Sequence, residues 1–226
     1  MLASKWFDRS ILTPTIRNDR RFLLRKLALG ATVFAFLIIL SSFASAQQGD
    51  AMIGFGTVMS PGAAQCFAGT TEGICPERGG LYTNLGGDVI LHKRLGFGFD
   101  GTWRSGQGNY GDLGIPYRPI LFDFNGVYQP RLGKKAGLDL FGGIGFQTTR
   151  FYGYQPTSNC VNFGACYQSS NHFLVDVGAG VRYYVWGHVF VRPEVRYYNI
   201  HNNTTDFTSG NVIHVGASIG YTIGPD

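Results

Sequence analysis

From residue 50 onward the chain alternates apolar and polar positions with a period of two. In Phe97-Gly98-Phe99-Asp100-Gly101-Thr102-Trp103-Arg104, the residues Phe97, Phe99 and Trp103 share one face, and Asp100, Thr102 and Arg104 share the other. Ile120 to Gln129 repeats the pattern, with Ile120, Phe122, Phe124 and Tyr128 against Asp123, Asn125 and Gln129. The same parity runs through Phe173 to Val185 and Val189 to Tyr198, whose polar sets include Asp176, Arg182, Arg192, Glu194 and Arg196. No stretch after residue 46 carries a helical period. The pattern predicts strands at 50–59, 81–91, 96–105, 117–129, 138–150, 172–185, 189–200 and 211–223. Pro193 lacks an N–H in the middle of one of them, which predicts a bulge or a locally lost ladder bond.

Alternation alone does not say which face points inward. A water-soluble barrel buries its apolar face, whereas a barrel in an outer membrane turns that face to lipid. The polar faces here mix glycine with isolated charges of both signs, namely Asp88, Asp100, Arg104, Asp123, Asp139, Asp176, Arg182, Arg192, Glu194 and Arg196, with hardly any lysine. That composition suits a narrow ion-paired lumen better than a solvated surface. The connections alternate long (60–80, 106–116, 151–171, 201–210) and short (92–95, 130–137, 186–188), the rhythm of extracellular loops and periplasmic turns. Unpaired backbone groups facing hydrocarbon cost several kcal/mol each, so a sheet in lipid has to close. The expected fold is all-β, an eight-stranded antiparallel up-and-down transmembrane barrel.

Charge changes the picture only at the amino terminus. The net charge of +5 comes entirely from residues 1–46, where Lys5, Arg9, Arg17, Arg20, Arg21, Arg25 and Lys26 outweigh Asp8 and Asp19. The rest is balanced, so no nucleic-acid partner is expected. Arg20 to Lys26, the apolar run Leu27 to Leu40 and the small-residue site Ala44-Ser45-Ala46 read in order as a secretory signal cleaved after Ala46. Two alternatives are an uncleaved membrane anchor and, from the paired arginines, a twin-arginine leader. The domain division is therefore a signal peptide over 1–46 and a barrel over 47–226.

Cys66, Cys75, Cys160 and Cys166 all follow the leader, and an even count in an exported chain favours disulfides. Three connectivities are possible. Pairing within each local segment, Cys66 with Cys75 and Cys160 with Cys166, places both bridges in long extracellular loops. The spacings lack metal-site form, no histidine adjoins them, and no cofactor motif is present. His92 and His188 fall at short turns, His172 at a strand start, and His214 on the lumen parity, where a hydrogen-bonded group is expected.

With strands and charges placed, the chain resembles the outer membrane beta-barrel domain family of small bacterial barrels over residues 47–226. His214-Val215-Gly216-Ala217-Ser218-Ile219-Gly220-Tyr221 is similar to that family's last-strand assembly signal, carried by His214, Gly216, Ile219 and Tyr221. It differs in continuing through Thr222 to Asp226. Arg192-Pro193-Glu194-Val195-Arg196-Tyr197-Tyr198 also resembles this family. The resemblance implies residence in the cell outer membrane, contact with its lipid, and recognition by the barrel-assembly machinery.

An eight-stranded barrel is just wide enough for side chains to fill, which counts against a general porin. The expected role is structural or surface-interacting, without catalysis, and the extracellular ligand is unspecified. A narrow gated channel is one alternative. A lipid-modifying enzyme is another, because Tyr197 to Thr204 is similar to the catalytic segment of lipid A deacylase barrels. There a serine nucleophile follows the histidine by two residues; here Asn203 follows His201, leaving only Thr204 or Thr205 to serve. If the faces were reversed, the chain would be a soluble secreted ligand-binding barrel.

Overall fold

The computed structural model describes residues 48–61, 77–110, 114–152 and 167–224. Among these residues nine strands form one antiparallel sheet: β1 (Gln48–Met59), β2 (Tyr82–His92), β3 (Leu95–Arg104), β4 (Gly108–Tyr110), β5 (Ile115–Tyr128), β6 (Ala136–Tyr152), β7 (Tyr167–Trp186), β8 (Val189–Ile200) and β9 (Asn211–Ile223). Their order β3-β2-β1-β9-β8-β7-β6-β5-β4 closes through a further β3–β5 pairing. β4 extends the line of β3 along β5, the register moving from Trp103↔Ile120 to Gly108↔Tyr117 across an intervening irregularity. β3 and β4 act as one stave, so the barrel has eight.

Following hydrogen-bonded neighbours once around the wall, Val58 leads to His214, Arg196, Gly178, Phe141, Val127, Gly96, Ile90 and finally Gln48. The circuit therefore returns to β1 ten residues lower. With standard strand spacing and rise, that stagger sets a strand tilt of about 40° and a backbone radius of about 8 Å. The twelve residues of β8 then climb about 30 Å, enough to cross a hydrocarbon core.

The faces are inverted relative to a soluble protein. Phe97 is 66% exposed, Phe124 61%, Ile219 60% and Val177 58%, while Asp123 is fully buried and Arg192 is 1% exposed. Tyr128, Tyr183, Trp186 and Tyr221 face outward near the short-turn end, and Trp103 and Tyr197 near the other, the places where interfacial aromatic girdles sit. The Lys93-Arg94 and Gly187-His188 turns are tight, with Lys93 at φ 55° and Gly187 at φ 50°.

Six of the eight predicted strands are offset by one or two residues at an end, and the largest departure, five residues, is at the start of β7. β6 and β7 run on to Tyr152 and back to Tyr167, pairing Arg150 with Ser169 and Phe151 with Gln168. Here the extension is polar on both faces through Ser169, Ser170 and Asn171, so it carries no alternation to read. The three residues of β4 fall within the predicted loop 106–116. At Pro193 the β7–β8 ladder is interrupted between Gly180↔Glu194 and Tyr183↔Val191 without a shift in register, as the missing N–H requires.

Candidate functional site

The lumen is a stack of layers, because each strand contributes one inward residue at every second position and the stagger offsets neighbouring strands in height. At the short-turn end, Arg182 meets Asp50 at 2.5 Å and Asp139 at 3.0 Å, and its guanidinium lies 4.2 Å from the Phe190 ring centre. Thr222 donates to Asp50 at 2.7 Å, and Gln129 donates to Asp88 at 3.3 Å. Above this, Arg192 meets Glu194 at 2.7 Å and Asp88 at 3.3 Å. Next comes Arg196, held by Asp123 at 2.7 Å and Asp100 at 2.9 Å, with Glu194 at 3.8 Å and Asp176 at 3.9 Å. Phe141 separates the two upper arginines, its ring 5.7 Å from Arg192 and 4.3 Å from Arg196. Gly178 and Gly220 make room for these rings, since a Cβ on either would stand 2.2 Å from Phe141 or Phe190.

Three arginines thus serve the inward carboxylates Asp50, Asp88, Asp100, Asp123, Asp139, Asp176 and Glu194. Sequence parity identified all of these except Asp50, which lies at the very start of the first predicted strand. Arg104 also lies on the inward parity but at a greater height, where its charge acts on Glu77 rather than on the carboxylates below. It donates to the Tyr117 hydroxyl at 3.0 Å and lies 5.3 Å over that ring, above the ionic layers. Parity gives the face of a residue but not its height.

Over the ionic layers sits an apolar cluster of Val58, Tyr82, Leu121, Leu174, Tyr198, Ile200 and Val212. Glu77, from the connection preceding β2, reaches into it fully buried. It accepts hydrogen bonds from Gln147 at 2.6 Å and Tyr82 at 3.2 Å. Burial pushes the Glu77 carboxyl up to about 7. At the rim the β8–β9 connection packs onto the wall: Phe207, 1% exposed, lies against Tyr110, Tyr117 and Phe151, and Tyr110 donates to the Asp206 carbonyl.

At that rim the structure brings together a histidine, a hydroxyl and a carboxylate that sequence reasoning missed. Ser170 Oγ and Asp206 Oδ2 each lie 2.9 Å from His172 Nε2. A nucleophile relay needs the carboxylate on one ring nitrogen and the hydroxyl on the other. Both partners here share one nitrogen, so the trio works as a strap from β7 to the β8–β9 connection. His172 lies well inside β7 rather than at a strand start.

His201 is exposed at the end of β8. Asn203 is buried and donates to the Ser209 carbonyl, while Thr205 donates to the Asn202 carbonyl at 3.0 Å. Neither threonine hydroxyl is paired with the His201 imidazole among the described contacts.

His214 faces the lumen at 1% exposure, edge-on to Tyr82 at 6.4 Å. Neither ring nitrogen has a protein hydrogen-bond partner among the described residues. The other positions of the proposed assembly signal divide by parity, Gly216 inward and Ile219 and Tyr221 outward. Cys66, Cys75, Cys160 and Cys166 lie outside the described residues, as does the segment 1–46 that the sequence predicts to be a leader. Among the described residues no three metal-ligating side chains converge.

At the short-turn mouth a cavity of about 450 Å³ is lined by Arg131, Lys134, Lys135 and Tyr184 and reaches Arg182 and Asp139.

Comparison with known proteins fits this geometry. Residues 32–220 match the model of the outer membrane protein beta-barrel domain. Neisserial surface protein A shares the fold at TM-score 0.51 and 10% identity, over 77% of this chain and 95% of that one. The attachment invasion locus protein Ail of Yersinia pestis aligns at TM-score 0.49 and 13% identity, over 78% of this chain and 98% of that one. No curated protein matches by sequence. With an inverted, closed, eight-stave wall and a family match over most of its length, the chain belongs to the outer membrane protein beta-barrel domain family and resides in the outer membrane.

Proposed function

We propose that this barrel has a structural and surface-interaction role, without catalysis and without an open pore. The observation that carries the reading is the ionic lattice: Arg182, Arg192 and Arg196 each bridge carboxylates from different staves across the interior of a wall about 8 Å in backbone radius. In this reading residues 1–46 are a leader removed after Ala46, and the short turns face the periplasm. The long connections face the exterior, tied by Cys66–Cys75 and Cys160–Cys166, and β9 is the strand that the barrel-assembly machinery recognises. Those outer segments are the surface offered to partners.

The test is conductance across a planar bilayer containing the folded protein. A closed lumen gives a flat current at all holding potentials. Discrete ion-conducting steps, altered by neutralising Asp88 or Asp139, would replace this reading with that of a narrow channel.

A further inference from the structure

The lipid-facing wall has a trough that the barrel's own packing does not explain. Gly126 of β5 and Gly142 of β6 both face outward and pair directly with each other. A Cβ on Gly126 would meet nothing nearer than 3.8 Å, and one on Gly142 nothing nearer than 3.4 Å, so the fold tolerates side chains at both. Glycine inside a strand weakens it. An aromatic neighbour lying over a glycine would offset that loss, but Phe97, the partner of Gly126 in β3, stands 66% exposed instead. The result is an apolar trough of about 770 Å³, within the size range of small-molecule sites, flanked by Phe97, Tyr128, Leu140 and Val177. It descends from the glycine pair to Leu95, Leu91 and His92 at the β2–β3 turn.

Cations gather where the trough ends. That turn is Lys93-Arg94, both exposed, and the Arg94 carbonyl accepts a 2.9 Å bond from the Gln129 amide, which ties it to the β5–β6 turn. The second turn exposes Arg131, Lys134 and Lys135, and neither turn contains an acidic residue. An apolar slot running through the hydrocarbon toward a cationic rim at the membrane surface matches the two ends of one molecule.

We propose that this trough binds an anionic glycerophospholipid of the leaflet on the short-turn side. An acyl chain lies over Gly126 and Gly142, and the phosphate meets Lys93 and Arg94. The proposal rests on the outer-membrane assignment, although its readout in detergent does not depend on which leaflet that is.

The test is native mass spectrometry of the folded protein extracted from outer membranes, offered equal amounts of phosphatidylglycerol and phosphatidylethanolamine. One phosphatidylglycerol should be retained in preference. Each basic residue beside an anionic headgroup contributes about fivefold, so K93Q/R94Q should weaken that retention by about thirtyfold. G126V/G142V should reduce retention of both lipids by filling the trough, and the mobility shift on boiling shows which variants have folded. If the glycine variant fails to fold, the charge variant alone decides the question.

Equal retention of the two lipids, or retention unchanged in K93Q/R94Q, would overturn the proposal. So would a dimer that G126V/G142V dissociates, which would make a second copy of the chain the occupant. A parent protein without a mobility shift would break the barrel reading itself. A shifted parent with no lipid preference would break only this proposal.

Discussion

Replacing Arg196 with methionine tests the lumen most sharply, because the two side chains have similar reach and differ in charge. Arg196 is 2% exposed and makes charge-assisted contacts of 2.7 Å to Asp123 and 2.9 Å to Asp100. Each such bond contributes about 1.5–3 kcal/mol. Removing the cation also leaves these two carboxylates, together with Asp176 and Glu194, to repel one another in a dry interior. Breaking one partner of a buried ionic cluster costs about 3–5 kcal/mol, and we expect Arg196→Met to lose about 4 kcal/mol.

Urea unfolding in lipid vesicles, followed by tryptophan fluorescence, measures this. Adding Asp123→Asn should restore part of the loss, since one unpaired charge is then gone. Arg196→Lys should fall between the two, because an ammonium cannot span both carboxylates as a planar fork does. Arg104→Met, which gives up a Tyr117 contact at the rim, should cost only about 1 kcal/mol. A loss below about 1 kcal/mol for Arg196→Met would refute the claim that the lattice holds the lumen together.

Further expectations concern the wall and the outer rim. Val195→Arg, on the lipid face midway along β8 and 47% exposed, should destabilise the barrel by about 2–4 kcal/mol in vesicles; a neutral outcome would mean that this face does not meet hydrocarbon. Glu77 makes the anchoring of its segment depend on pH. Its folded value of about 7 lies above the ordinary 4.5, so its contribution is complete below pH 4.5 and is lost as pH rises through 7, amounting to about 3 kcal/mol. Amide exchange at Gly79, whose N–H bonds the Val58 carbonyl at 2.7 Å, should accelerate between pH 6 and 8 beyond its intrinsic base-catalysed increase. Glu77→Gln should remove the excess.

How much was legible in the sequence follows from what a period of two encodes. Where one face meets lipid and the other a charged lumen, the contrast is sharp, and β8 (Val189–Ile200) and β9 (Asn211–Ile223) were read to the residue. Where a hairpin rises above the bilayer, both faces are wet and polar, and the extension of β7 back to Tyr167 left no pattern to detect. Parity also assigned Asp123, Arg192 and Arg196 to the interior. It could not rank their heights, which depend on a stagger set by pairing all eight staves, and so Arg104 was grouped with residues lying below it. The His172–Asp206 strap joins β7 to a connection 34 positions later, with no spacing that marks it.

Whether the apolar face meets lipid and the charged face is enclosed is decided by running the folded, detergent-extracted protein, boiled and unboiled, on a denaturing gel beside its far-ultraviolet circular dichroism. A closed barrel predicts a faster unboiled band with a β-sheet spectrum. A protein that stays soluble without detergent and shows no shift in mobility would contradict the account and exchange the inside for the outside.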